Sequence, residues 1–290
     1  MINKKFYPFK SNYLELKSGL NYHYIDEGKG QPLLMLHGNP TWSIYYRNLI
    51  SYFSKNYRCI VPDHIGCGFS DKPSKEDYSY TLEQRVKDLE ELINYLDLKK
   101  IILIVHDWGG MIGFTYTHFN RSKISKIVIL NTAAFHLPLS KKFPLVLSIS
   151  KSILGKFLIL NFNAFAYIAT YVCVKNKKFD KELREAYLYP YNNQRNRIAT
   201  YEFVNDIPLS PNDKSYDLVS EVQSNLYKLS NIPMLVCWGK KDFVFDINFY
   251  NQWKKYFPNA EYHLFENYGH YILEDAHGEI ELIIEKFLKK

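Results

Sequence analysis

The run Ile101-Ile102-Leu103-Ile104-Val105, followed directly by His106-Asp107-Trp108-Gly109-Gly110, constrains this chain more than any other feature. Five consecutive apolar residues with no polar alternation read as a strand covered on both faces, as in a parallel sheet. A helix is expected from about Gly109 to Phe119. A strand that passes into a helix through one tight turn lifts the residue at the bend, Asp107, above the sheet, as a nucleophile requires. Glycine at 109 lets the backbone turn sharply and the two elements approach. Serine is usual at such a bend, and no G-x-S-x-G occurs elsewhere; Gly68-Phe69-Ser70-Asp71-Lys72 lacks the closing glycine and a preceding strand. A carboxylate here would attack carbon to give an ester or an anhydride. The helix N-terminus favours negative charge and is expected to keep Asp107 ionised. The competing reading makes Asp107 a helix N-cap only.

The flanking segments repeat the alternation. Strand-like runs fall at Tyr13–Leu16, Leu20–Ile25, Pro32–Leu36, Arg58–Val61 and Ile127–Leu130. Leu82, Val86, Leu89, Leu92, Ile93 and Leu96 fall on one helical face, with Thr81 as a plausible N-cap. From about Phe135 to Leu229 no clear strand appears; the segment is helical, apolar and aromatic. Strand and helix then resume at Met234–Gly239, Ile247–Tyr256, Tyr262–Phe265 and from about Glu279. Alternation of this kind predicts an α/β architecture, a mostly parallel sheet with helices on both faces. Residues 1–134 and 230–290 form the expected core domain, and residues 135–229 an inserted helical cap.

Composition narrows the class. The chain has 290 residues, 47% hydrophobic and 23% charged, enough to bury a sizeable core and too apolar for disorder. The net charge of +7 is carried by basic residues that look scattered, apart from Lys99-Lys100 and the group from Lys175 to Lys178. We read them as solvated surface, with weak attraction to anionic lipid or an acidic partner as the alternative. No nucleic-acid motif is present. Cys59, Cys67, Cys173 and Cys237 form no C-x-x-C pair and are expected to be reduced structural residues, not a metal site. The stretch from Pro144 to Val174 is interrupted by Lys151, Lys156, Asn161 and Asn163. That speaks against a spanning helix and for cap helices around an apolar cavity, with shallow peripheral membrane contact left open. The first residues, MINKKFYPFKSNYLELKSG, lack the apolar run of a signal peptide, so a cytoplasmic location is expected.

Three further motifs complete a candidate site. His37-Gly38-Asn39-Pro40 follows the third core strand, where such a sheet offers an oxyanion-binding N–H; the second comes from the residue after the nucleophile. These are the backbones of Asn39 and Trp108, whose side chains also carry N–H donors suited to a departing anion. The competing readings are a turn for Asn39 and core packing for Trp108. His270, in Tyr268-Gly269-His270-Tyr271 after the last strand, has the best context of the nine histidines. His37 and His106 are expected to pack the loop and the bend; His118, His136, His263 and His277 are expected at the surface or in structural roles. The strand at Ile127–Leu130 ends in Asn131-Thr132-Ala133-Ala134 without a carboxylate, whereas Met234–Gly239 leads to Lys240-Lys241-Asp242. Asp242 is therefore the choice to orient His270, with Asp246 in reserve.

Together, His37-Gly38-Asn39-Pro40-Thr41-Trp42, Asp63-His64-Ile65-Gly66, Ser70-Asp71-Lys72-Pro73, His106-Asp107-Trp108-Gly109-Gly110 and Gly269-His270 resemble the haloalkane dehalogenases of the α/β-hydrolase fold. The cap segments Phe162-Asn163-Ala164-Phe165, Pro190 to Ile198 and Phe203 to Leu209 look like the β-lactone decarboxylases of bacterial long-chain olefin biosynthesis. So do Leu130 to Phe135 and Gly239 to Asp246. Gln194 departs from that pattern, which has an aromatic residue there. The resemblance implies an eight-stranded α/β-hydrolase sheet with a cap. It implies Asp107 as nucleophile, His270 and Asp242 as its partners, and Asn39 and Trp108 as the anion-stabilising pair. The residues indicate no metal and no organic cofactor. The resemblance also implies conversion of a hydrophobic cis-3,4-dialkyl-β-lactone to a cis-alkene and carbon dioxide, and docking with other pathway enzymes. Attack at the ring carbon or at the carbonyl both stay open. The alternatives are hydrolytic dehalogenation, then an epoxide hydrolase, which needs two cap tyrosines. A non-enzymatic binding protein is disfavoured because every candidate residue is present.

Overall fold

The structure, a computed structural model, describes residues 2–290. Eight strands form one sheet: β1 (Asn12–Glu15), β2 (Asn21–Glu27), β3 (Pro32–Leu36), β4 (Arg58–Pro62), β5 (Ile101–Asp107), β6 (Ile124–Thr132), β7 (Met234–Gly239) and β8 (Glu261–Phe265). Their spatial order is β1-β2-β4-β3-β5-β6-β7-β8. β1 pairs antiparallel with β2 and β2 antiparallel with β4; every other neighbouring pair is parallel. All seven residues of β5 are buried, as are all six of β7. The edge strand β1 alternates between half-buried and exposed, as a strand with one covered face should.

Side chains of β3 and β5 divide by parity between two cores. Leu34, Leu36, Leu103 and Val105 pack with α2 (Leu82–Tyr95), α3 (Trp108–Phe119) and Phe249 and Trp253 of a later helix. Leu33, Met35, Ile102 and Ile104 pack on the opposite face with α1 (Arg47–Phe53) and the C-terminal helix. α2 begins where Thr81 accepts the Gln84 N–H at 3.4 Å, the expected cap.

Between β6 and β7 the described residues hold helices and no strand: α4 (Leu145–Lys151), α5 (Ile153–Phe162), α6 (Ala164–Val172), α7 (Lys181–Leu188), α8 (Ile198–Asn205) and α9 (Tyr216–Asn225). The chain closes with α10 (Ile247–Tyr256), α11 (Ile272–Asp275) and α12 (Ile280–Leu288). Ile280, Ile284 and Phe287 of α12 are buried at helical spacing.

The sequence hides three features. α1 has seven residues and no side-chain cap, so no boundary signal marks it. α11 is a single turn. β6 outruns its apolar stretch at both ends, because Ser125 and Lys126 lie at the half-buried bottom of the sheet and Asn131 and Thr132 are buried at its top. All four cysteines are buried and unbonded.

Candidate active site

Asp107 ends β5 with φ 51° and ψ −127°, a conformation that costs a non-glycine residue about 1–3 kcal/mol. The surrounding chain holds it there. The Thr132 hydroxyl donates to the Asp107 carbonyl. A Cβ at 109 would come within 1.9 Å of the Leu36 carbonyl oxygen, and one at 38 within 2.0 Å of Asp107 Oδ1. Both glycines are thus required by close approach between β3 and the bend after β5. Asp107 makes no side-chain cap bond to α3. Its Oδ1 instead accepts the Asn39 N–H at 2.7 Å, with the Trp108 N–H pulling in the same direction.

The second carboxylate oxygen faces the histidine: Asp107 Oδ2 lies 3.7 Å from His270 Nε2. The other ring nitrogen, Nδ1, is 2.7 Å from Asp242 Oδ2, which fixes the ring and its tautomer. Asp242 Oδ1 accepts the N–H groups of Val244 at 2.7 Å and Phe245 at 3.1 Å, while Oδ2 also accepts the Asn131 amide at 2.9 Å. Asn131, at φ 32°, further donates to the Gly239 carbonyl at 3.1 Å and accepts the Gly239 N–H at 2.8 Å. It thereby ties the end of β6 to the loop carrying Asp242. Phe245 stacks on the His270 ring at 5.8 Å, and His106 Nε2 lies 2.9 Å from the His270 carbonyl.

Burial shapes the charges. It pushes the Asp107 carboxyl above its ordinary value, outweighing the opposing pull of His270 and of the Asn39 and Trp108 N–H groups. The helix N-terminus therefore moderates a shift set by desolvation. Burial alone would lower His270, but the charge and hydrogen bond of Asp242, and then the charge of Asp107, raise it instead. A proton on the His270 ring is thus favoured by the two carboxylates it lies between.

The backbone N–H of Asn39 serves the nucleophile, not the cavity, because the Asp107 carboxylate fills the place an oxyanion would take. The Asn39 side chain is buried and donates to the Thr200 carbonyl of α8 at 3.0 Å, leaving its Oδ1 unpartnered. Trp42, Trp238 and Trp253 each give their indole N–H to a main-chain carbonyl. Trp108 does not, and it lines the cavity. Asn39, Asp107, Trp108 and His270 lie on one cavity of about 420 Å³, within the range that holds small organic ligands. The opposite walls are apolar, formed by residues such as Leu145, Leu158, Ile159 and Phe165. Among the described residues no tyrosine lines this cavity.

All five sequence-derived site residues therefore meet in one place. Asp246 does not: it caps α10 through the Asn248 N–H at 3.0 Å and pairs with Lys141 at 2.8 Å. His37 and His106 are buried structural residues. Sequence reasoning passed over Asn131 because it sought only a carboxylate after β6; an amide there holds Asp242 in place.

Residues 31–277 match the α/β-hydrolase fold family. The chain is 50% identical to a cis-3-alkyl-4-alkyloxetan-2-one decarboxylase of Shewanella oneidensis, over 97% of this chain and 89% of that protein. It is 40% identical to the protein of the same name from Xanthomonas campestris, over 98% and 97%. The crystal structure of the haloalkane dehalogenase DbeA from Bradyrhizobium elkani superimposes with a TM-score of 0.87 at 20% identity, covering 97% of this chain and 98% of that one, which shows a shared fold. The chain belongs to the α/β-hydrolase fold family, in the branch that holds these decarboxylase relatives.

Proposed function

We propose that Asp107 is the nucleophile of a β-lactone decarboxylase acting on cis-3-alkyl-4-alkyloxetan-2-ones. The activity follows from the full-length likeness to the two decarboxylases. The chemistry rests on one observation: Oδ1 of Asp107 is held by a backbone N–H while Oδ2 faces His270 beside the cavity.

That geometry favours attack on the ring carbon that bears oxygen. Addition to the carbonyl would create an oxyanion, and one of its two usual backbone donors, the Asn39 N–H, already serves Asp107. Displacement at carbon instead forms the Asp107–carbon ester bond, breaks the ring C–O bond and frees the substrate carboxylate. That carboxylate would meet the unspent N–H of Trp108 and the second amide N–H of Asn39. Cleavage of the carboxylate's C–C bond then releases carbon dioxide, its electron pair forms the alkene, and the Asp107–carbon bond breaks. Inversion followed by anti elimination keeps the cis geometry. No water is consumed, so His270 need not activate a solvent molecule; in its protonated form it would stabilise the Asp107 carboxylate before attack and after its release.

The dehalogenase reading shares Asp107 and the Asn39–Trp108 pair, and stands second. The epoxide-hydrolase reading lacks the two cavity tyrosines that chemistry uses. Purified protein should release alkene from a synthetic cis-β-lactone, with negligible bromide from 1-bromobutane and no diol from styrene oxide. Rapid bromide release with an inert lactone would overturn the assignment. The cytoplasm is the proposed location.

A further inference from the structure

The segment 139–178 contains seven of the chain's 37 basic residues and none of its 30 acidic ones. It therefore carries all of the net +7, and the remaining residues balance. The same segment is the most apolar surface of the protein. Of nineteen large hydrophobic side chains that are substantially exposed, eleven lie between Leu139 and Tyr171, among them Leu145, Ile153, Leu154, Phe157 and Phe162. Ile153 is 90% exposed. Exposed apolar groups that cluster in this way mark an interaction surface. No acidic residue lies within the segment, and among the described residues only Lys141 of its lysines is in an ion pair, with Asp246, so the charge it presents is of one sign.

We infer that α4, α5 and the segment around them dock onto the surface of an anionic lipid bilayer. Length and shape decide between spanning and lying on the membrane. α4 and α5 together have membrane-like composition, but they are bent by 83° at their junction. At 1.5 Å per residue neither reaches across a hydrocarbon core of about 30 Å. A bent, apolar pair flanked by lysines suits the interface, with apolar side chains below the headgroups and ammonium groups among them. Lys142, Lys156, Lys175, Lys177 and Lys178 are exposed for this. A protein partner with an acidic, greasy face would need matched shape; a bilayer needs only this mixture.

The surface is continuous with the cavity. Leu145, Val146, Ile149 and Ile168 line it and are also exposed. A ligand with two alkyl chains could thus pass between bilayer and cavity without crossing water. This last step rests on the decarboxylase reading; the docking surface does not.

Flotation of the full chain with vesicles tests the inference independently of catalysis. Vesicles of phosphatidylcholine with about 30 mol% phosphatidylglycerol should bind at least about tenfold more protein than pure phosphatidylcholine at low salt, since each lysine near an anionic surface adds attraction. Ile153→Glu with Phe157→Glu should abolish binding, and Lys175→Gln, Lys177→Gln and Lys178→Gln together should reduce it severalfold. None of these residues lines the cavity, so turnover of a short-chain, water-soluble lactone should be unchanged in both variants. Failure of the wild type to float with anionic vesicles, or equal flotation of both variants, overturns the inference. So does burial of the surface in a dimer of this chain, seen as a protein that is dimeric, binds no vesicle and becomes monomeric on Ile153→Glu. Vesicle binding with an inert lactone would overturn the decarboxylase reading while leaving the docking surface standing.

Discussion

β5 and α5 both contribute to one cavity by opposite means. β5 buries all seven of its residues and delivers Asp107 with its backbone fixed between β3 and β6. α5 buries two of ten, Gly155 and Ile159, and leaves the rest partly or fully exposed. On the sheet side the carboxylates and the histidine are held by further protein groups: Asp107 by the Asn39 N–H, His270 by Asp242, and Asp242 by Asn131 and two backbone N–H groups. On the helical side the walls are greasy, from Leu145, Leu158, Ile159 and Phe165. One half fixes the chemistry and the other fixes what reaches it. Changes in the sheet half should therefore lower kcat, and changes in the insertion should move KM and substrate preference.

The sharpest break of that division is Asp107→Ala. It should lower kcat by at least about 10,000-fold without altering substrate affinity much, since removal of a nucleophile leaves only binding and electrostatics. Retention of full activity in a folded variant would end the account. Next comes His270→Gln, expected to cost about 100- to 10,000-fold, the range of positioned proton-transfer and charge-stabilising groups. It should also shift the pH profile in a defined direction. Burial raises the Asp107 carboxyl and His270 opposes that rise. Activity needs ionised Asp107, so it is present above that group's folded-state pKa and lost as pH falls through it. Removing His270 takes away the charge that held the pKa down, so the acid limb should move to higher pH. An acid limb that stays put would show that Asp107 does not set it.

Smaller effects should follow at the anion pair. Asn39→Ala and Trp108→Phe should each lower kcat by about 100-fold, as loss of one stabilising donor does. The Trp108 change should be the purer test, because the Asn39 side chain also braces α8 through Thr200. If Asn39→Ala loses thermal stability and no turnover, its amide is a strut only. The smallest change in chemistry is expected from the insertion. Ile159 lines the cavity and is 2% exposed. Ile159→Trp should raise KM for long-chain lactones by about tenfold, the value of a methylene or two in an apolar pocket. kcat for short chains should barely move, and an equal loss for both would blur the division of labour.

The two halves also differ in how much the sequence reveals. β3, β5 and β7 are legible because strands covered on both faces must be continuously apolar. Asp107, Asn39, Trp108 and Asp242 are legible because each lies at or just past the end of such a strand, and His270 because its Gly-His motif follows the last strand, β8, although that strand is only half-buried. Asn131 was not, since its use depends on a partner 111 residues away, at the end of a neighbouring strand. The insertion was readable only as helical and greasy. Periodicity says which residues share a helix face, but whether that face is covered depends on the tertiary arrangement. The charge segregation escaped for a related reason: lysines spaced from Lys141 to Lys178 look scattered until the absence of acids among them is set against exposure. The expectation that the helix N-terminus keeps Asp107 ionised left out burial, which pushes the carboxyl up against that pull and which sequence does not report.

The proposed reaction turns on a covalent bond from Asp107 to substrate carbon. Acid quenching during turnover of a slow cis-β-lactone, followed by peptide mass spectrometry, tests it directly. We expect an adduct with the mass of the intact lactone on the peptide that carries Asp107. An adduct on a different side chain, or alkene formed at the wild-type rate by Asp107→Ala, would contradict it.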